Sequence, residues 1–210
     1  MQEAGSLIAL LATVTAISLT GVMAPGPVTA VTITKGAARK EAGALIAVGH
    51  GIVEMPMILL IGLGFATVMA VPEVKALVGI IGGGVLLWMG LGLLRTKPQA
   101  FEQRREVAGG CVLAGLTTTV ANPYWFVWWA TVGAALVVSA GAWGWLGLVA
   151  FALTHWLCDL GWLSFLSWGV FTSRRIWTPT VYRIVLAVCG GVLLGFGVYF
   201  IVSGAGQAFV

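Results

Sequence analysis

Charge is scarce in this chain: only 9% of its residues are Asp, Glu, Lys or Arg. Soluble domains carry about 25% charged residues, so a soluble fold is excluded. The mean hydropathy is +1.03, and no polar stretch between the apolar segments is long enough to form a soluble domain. The sequence therefore predicts a single membrane domain over residues 1–210.

Paired cysteines and catalytic signatures are absent. The three cysteines are isolated and form no CxxC motif, so a thiol–disulfide carrier is not expected. The sequence also contains no H-E-x-x-H or G-x-S-x-G motif. We therefore expect neither an enzyme nor a cofactor. The net charge of +4 is explained by residues between the apolar runs, and no nucleic-acid partner is expected.

Long apolar runs dominate what is present. A helix of roughly 20 residues crosses about 30 Å of hydrocarbon, and each run is long enough to do so. The runs cover residues 5–34, 42–70, 74–95, 108–138, 142–170 and 181–203. The prediction is an all-α integral membrane protein with six transmembrane helices.

The basic residues fall almost entirely on one side of this six-helix arrangement. That side carries Lys35, Arg39, Lys40, Arg95, Lys97, Arg104, Arg105, Arg174, Arg175 and Arg183, whereas the other side carries only Lys75. Short loops rich in Lys and Arg stay in the cytoplasm. The bias predicts both termini outside and the loop around residues 96–107 inside, in a multi-pass protein of the bacterial inner membrane.

Both histidines of the chain stand four residues before an acid, inside apolar runs. The pairs are His50 with Glu54 and His155 with Asp159. A spacing of four places both side chains on one helix face. Because ionisable groups in hydrocarbon are costly, they usually mark a substrate or ion path. We predict that these four residues bind substrate or couple its movement to protons.

Three features of the first half recur in order in the second. Residues 19–25 resemble 116–122, the His–acid pair returns, and residues 83–87 match 190–194. With three helices per half, the copies must run in opposite directions. The sequence therefore predicts two inverted three-helix repeats, about 1–95 and 106–210, with a site near the midplane between them.

Proline motifs interrupt the first and fourth apolar runs at corresponding places. The motifs are Pro25-Gly26-Pro27 and Asn122-Pro123. Proline breaks a helix but suits the first position of a new one. We predict broken helices 1 and 4, whose new starts bind an anionic group of the substrate. Thr20 and Thr118 precede the breaks and are candidates for polar lining.

Two rival roles use the same polar residues. The four side chains His50, Glu54, His155 and Asp159 include two imidazoles and two carboxylates, which could ligate zinc or manganese. A divalent-cation exporter and a metal-dependent membrane enzyme are therefore kept as alternatives.

The motif Ala24-Pro25-Gly26-Pro27, the segment 35–43 and the glycine-rich segment 83–90 resemble the lysine-exporter (LysE-type) translocator family. The resemblance covers essentially the whole chain and implies export of amino acids or related small solutes, driven by a proton or ion gradient. Five positions match family motif positions: Pro25, Gly26, Pro27, Asn122 and Pro123. An acid in helix 5, here Asp159, also fits. The His50–Glu54 pair departs from the pattern of a neutral amino-acid exporter, which keeps a cationic substrate open.

The expected partners are a small-molecule substrate and the lipid bilayer. Two small-xxx-small pairs, Gly79/Gly83 and Gly191/Gly195, permit close helix contact within one protomer or in a homo-oligomer.

Overall fold

A computed structural model describes residues 2–65, 68, 71–95, 110–173, 176 and 178–208. The regular secondary structure of these residues is entirely helical. The helices are α1 (Gln2–Val22), α2 (Pro27–Gly36), α3 (Ala42–Leu60), α4 (Pro72–Arg95), α5 (Cys111–Val120), α6 (Pro123–Trp128), α7 (Ala134–Gly141), α8 (Gly144–Thr172) and α9 (Pro179–Ala208). A π-helical turn, Ile61–Phe65, extends α3, and another, Trp129–Gly133, joins α6 to α7.

Five of these helices or continuous helical stretches are long and apolar enough to cross a membrane. The count becomes six if α1 and α2, which meet at a bend of 77°, form one span. The expectation of an all-α membrane protein is therefore confirmed, and the number of candidate spans agrees with it. Large apolar side chains such as Trp88 and Leu146 are well exposed, as expected of a surface that faces lipid.

Proline occupies the first position of several helices. It begins α2, α4, α6 and α9 as Pro27, Pro72, Pro123 and Pro179. The missing N–H of proline costs nothing there, because the first N–H groups of a helix have no partner within it. The proline residues that interrupt the apolar runs therefore also define where the chain resumes its helix.

The fourth apolar run differs from a uniform span. It divides into the short helix α5 and a continuous stretch, Pro123–Gly141, which alone meets the length expected of a membrane span. The division lies at Asn122, whose backbone is extended. Proline at position 123 disfavours helical geometry in the residue before it.

Glycine allows α3 to pack closely between α5 and α8. A Cβ atom added at Gly49 would overlap the carbonyl oxygen of Val112 in α5, and one at Gly115 would overlap that of Ile46 in α3. On the α8 side, a Cβ at Gly43 would overlap the carbonyl oxygen of Leu163. The backbone of α3 thus contacts both neighbours directly, and this contact places its polar residues against theirs.

Helices α4 and α9 form a second close pair, packed antiparallel through glycine. Gly83 faces Gly197, and Gly90 faces Gly190, with each added Cβ meeting the opposite helix.

Some of the charged positions used to predict orientation lie outside the described residues. They are Lys97, Arg104, Arg105, Arg174 and Arg175, together with most of the loop around 96–107.

Candidate functional site

The two histidines and their acids meet in the buried interface between α3 and α8. His50 and Glu54 lie one turn apart on α3, and His155 and Asp159 lie one turn apart on α8. Their exposed fractions are 7%, 1%, 3% and 4%, respectively. Because α3 and α8 pack against each other, the four side chains form one buried group, named here the central cluster.

Within the central cluster, Glu54 contacts both histidines most closely. Its Oε1 lies 3.1 Å from His50 Nε2 and 3.2 Å from His155 Nε2. Asp159 is more loosely placed, with Oδ1 3.7 Å from His50 Nε2 and Oδ2 3.8 Å from His155 Nε2. Each carboxylate thus faces both imidazoles, which is the arrangement that buried charges need to offset their lost hydration.

A hydroxyl group from another helix holds the far side of each imidazole. His50 Nδ1 lies 2.6 Å from Thr119 Oγ1 on α5, and His155 Nδ1 lies 2.7 Å from Ser18 Oγ on α1. The Thr119 hydroxyl donates its own hydrogen to the Gly115 carbonyl at 2.7 Å. It must therefore accept from His50, so Nδ1 of His50 carries a hydrogen and Nε2 faces the acids.

Aromatic rings enclose the faces of His155, whereas its two nitrogens contact Ser18 and Glu54. Trp128 and Phe151 stack on it with ring centroids 5.0 and 5.8 Å away, and Trp129 meets it edge-on at 5.3 Å. All three aromatic side chains are buried. A cationic imidazole between such faces gains electrostatic attraction from the rings.

A cavity of about 70 Å³ borders the central cluster. All four cluster residues line it, and so do residues of both helix interruptions, including Gly26 and Asn122. At roughly 30 Å³ for each water of the liquid, this volume corresponds to about two water molecules. The proline motifs and the His–acid pairs, which are distant in the sequence, therefore share one space.

Among the described residues, those that line the cavity carry buried acceptors and donors without a hydrogen-bond partner. The acceptors are Glu54 Oε2 and Asp159 Oδ2, and the donors are the indole nitrogens of Trp125 and Trp129. All four atoms are buried, and their residues line the cavity. Buried polar atoms usually have a partner, so a polar ligand or water is needed to satisfy them.

The two helix starts at the cavity are built differently. At the start of α2, Gly26 is extended, Pro27 takes the first position, and no side chain caps the free N–H groups. At the start of α6, the Asn122 side chain accepts a hydrogen bond from the Tyr124 N–H at 3.2 Å. The first start is therefore open to a ligand, whereas the second is partly capped by its own chain.

Thr20 and Thr118 bond their own helices. Thr20 Oγ1 donates to the Ile17 carbonyl at 2.6 Å, and Thr118 Oγ1 donates to the Ala114 carbonyl at 2.6 Å. Neither is among the residues that line the cavity. Ser18 and Thr119 bond the histidines instead. Nothing in the sequence distinguished Ser18 and Thr119 as histidine partners, since hydroxyl side chains in membrane helices usually bond the preceding turn.

Three of the cluster residues could hold a metal ion. Each of His50, Glu54 and Asp159 offers one ligand atom, and these atoms all lie within 4.8 Å of one another.

Comparison with known families supplies one match. The family model described as LysE type translocator matches residues 19–204. No curated protein and no solved structure matches the chain.

Proposed function

Because the chain belongs to the LysE type translocator family, we propose that it is a secondary-active exporter of amino acids or related small solutes, coupled to a proton or ion gradient. Family membership implies membrane transport of small solutes rather than catalysis. The observation that carries the finer proposal is the cavity, whose lining residues include four with a buried acceptor or donor that has no hydrogen-bond partner.

A zwitterionic amino acid matches both kinds of atom. Its ammonium group would bind the free carboxylate oxygens of Glu54 and Asp159. Its carboxylate would lie at the open start of α2, near Gly26 and Pro27, with Asn122 and Pro123 across the cavity. Backbone N–H groups at a helix start attract anions. Discontinuous helices serve this purpose in other secondary transporters.

The central cluster provides a route for coupling. Imidazole gains and loses a proton near neutral pH. Both histidines contact the same Glu54 oxygen, at 3.1 and 3.2 Å, so loss of a proton from either one changes the charge balance at that carboxylate. A substrate ammonium brings a positive charge to the same place. Entry of the substrate and release of a proton therefore favour each other.

The contacts between α4 and α9 support the inverted repeat. The shift along the chain that carries Gly83 to Gly190 also carries Gly90 to Gly197. If the two halves are exchanged by this shift, Gly90 takes the place of Gly197 and Gly190 takes the place of Gly83. The contact between Gly90 and Gly190 then coincides with the contact between Gly197 and Gly83, and the structure contains both. A two-fold axis between the halves produces this pattern. Rocking of one half against the other would then expose the cavity alternately to the two sides.

Orientation is tested by labelling single cysteines in a variant from which the three native cysteines have been removed. The positive-inside bias predicts that a cysteine at Ala100 reacts with an impermeant maleimide only after the cells are opened. A cysteine at Glu73 should react in intact cells. A carboxyl-terminal tag that is protected from external protease in intact cells would contradict the proposed orientation.

Transport is tested with purified protein in liposomes that contain labelled amino acids, with and without a pH gradient. We expect efflux of at least one amino acid, stimulated by the pH gradient. A protonophore should reduce the efflux to the rate measured without a gradient. Liposomes without protein are the control. Divalent cations are tested in parallel, because the ligand geometry of His50, Glu54 and Asp159 favours cation export as the second candidate. Flux of cations alone would select that candidate and reject amino-acid export.

A further inference from the structure

Three acceptor atoms of the central cluster, one each from His50, Glu54 and Asp159, lie close together. His50 Nδ1 carries a hydrogen because Thr119 can only accept from it. A neutral His50 therefore directs the lone pair of Nε2 toward Glu54 Oε1, 3.1 Å away, and Asp159 Oδ1, 3.7 Å away. These acceptors repel one another unless a positive charge lies among them. A proton on Nε2 is one such charge, and a metal ion is another.

Two of the three distances between the ligand atoms suit a metal ion, and all three are below 4.8 Å. Ligand atoms at 2.0–2.2 Å from a tetrahedral zinc ion lie about 3.3 Å apart. The two distances from His50 Nε2, 3.1 and 3.7 Å, lie on either side of this value. Neutral imidazole and carboxylate oxygen are ligands that zinc and manganese accept.

The surroundings of His50 are those of a metal ligand. Metal-bound histidines usually donate their other N–H to an oxygen that fixes the ring, as His50 does to Thr119. Two buried oxygens, Glu54 Oε2 and Asp159 Oδ2, have no hydrogen-bond partner, so either carboxylate has a second atom free for the ion. The cavity borders the same residues and would leave the ion an open coordination position.

We propose that His50 Nε2, Glu54 and Asp159 bind one divalent first-row metal ion, with the fourth position open to the cavity. His155 bonds Glu54 Oε1 from the other side at 3.2 Å and positions that carboxylate without ligating the ion. The site goes beyond the proposed transport function, since it concerns equilibrium binding of an ion, and an ion bound there would compete with a substrate ammonium for Glu54 and Asp159.

The test is titration of the purified protein with Zn²⁺ by calorimetry and with Co²⁺ by visible absorption. The purification tag must contain no histidine, because tag histidines would bind the metal themselves. The only histidines present are then the two of the cluster. The variant without cysteines excludes binding by thiols. We expect one ion per chain and tighter binding of Zn²⁺ than of Mn²⁺. Failure to bind either Zn²⁺ or Co²⁺ would overturn the site and leave the transport proposal standing.

Variants then separate ligands from positioning residues. His50→Ala should remove measurable binding, whereas His155→Ala and Thr119→Val should each weaken it about 10–100-fold, the usual effect of losing a group that orients a ligand. Glu73→Gln, an exposed acid in the first turn of α4, should bind as the unaltered protein does. Equal loss in His50→Ala and His155→Ala would overturn the three-ligand assignment.

X-ray absorption at the zinc edge supplies a measurement on the unaltered protein, which does not depend on whether a variant folds. We expect oxygen and nitrogen ligands with the scattering of a single imidazole. Two imidazoles, or any sulfur, would overturn the assignment.

Discussion

Glu54→Gln should abolish gradient-driven transport while the protein remains folded. Glutamine keeps the shape of the side chain but cannot carry the negative charge that both histidines face at 3.1 and 3.2 Å. Without that charge, protonation of the histidines has no acid to act on, so the gradient-stimulated part of the flux should disappear; the same change lowers the free energy of unfolding by about 3 kcal/mol or more, and folding is therefore checked separately. Asp159→Asn should behave similarly, because its carboxylate also faces both imidazoles. The measurement is the initial rate of substrate flux in liposomes under a fixed pH gradient.

The matched control for both acids is Glu73→Gln. It makes the same chemical change at an exposed position in the first turn of α4 and should transport at the unaltered rate. Size-exclusion chromatography in detergent checks that each variant is folded. Full amino-acid transport by the double variant Glu54→Gln/Asp159→Asn would falsify the coupling role and leave the central cluster a structural one.

Gly49→Ala should severely destabilise the protein. The added methyl group would overlap the Val112 carbonyl oxygen of α5, and a backbone atom cannot move aside as a flexible side chain can. Overpacking a tight interface costs about 1–3 kcal/mol even where side chains can adjust, so the loss here should reach or exceed the upper value. We expect a lower thermal midpoint in detergent and a smaller monodisperse fraction.

Gly84→Ala is the matched control for this change. Gly84 lies within α4, and a Cβ atom there meets nothing within 4 Å. Alanine is the better helix former, so the control should be as stable as the unaltered protein or slightly more stable. Equal stability of Gly49→Ala and Gly84→Ala would mean that α3 and α5 are not in backbone contact.

The sequence contained enough information to find the charged part of the site. Ionisable residues are rare in apolar runs, and the cost of burying them makes each one informative. The spacing of His50 and Glu54, and of His155 and Asp159, indicated a shared helix face, and the structure brings both faces together. The roles of these residues in binding or coupling remain predictions.

The neutral part of the site was harder to find. Ser18 and Thr119 differ in no local way from Thr20 and Thr118, which bond carbonyls of their own helices. Only the packing of α1 against α8 and of α5 against α3 determines which hydroxyl meets a histidine. Trp128 poses the same difficulty, since a tryptophan in an apolar run is equally suited to lipid, core or membrane surface.

The sequence predicted only in part how the fourth apolar run is divided into helices. Asn122 and Pro123 indicated where the helix is interrupted, because proline restricts the residue before it. The length of each piece depends on how α5 packs against α3. Gly49 and Gly115 determine that contact, and neither glycine stands out among the 30 glycines of the chain.

Under the proposed inverted repeat, the reciprocal glycine contacts between α4 and α9 have a consequence for how the chain would have arisen. A surface that meets a copy of itself in reverse has the form of a homodimer interface, as two separate three-helix chains of opposite orientation would make. Once two such copies are fused, each can acquire its own substitutions. The central cluster has this character, with glutamate and a threonine contact at His50 but aspartate and a serine contact at His155. Under the same proposal, two identical halves would treat the two directions of movement alike, whereas the different partners of His50 and His155 would give the two directions different chemistry.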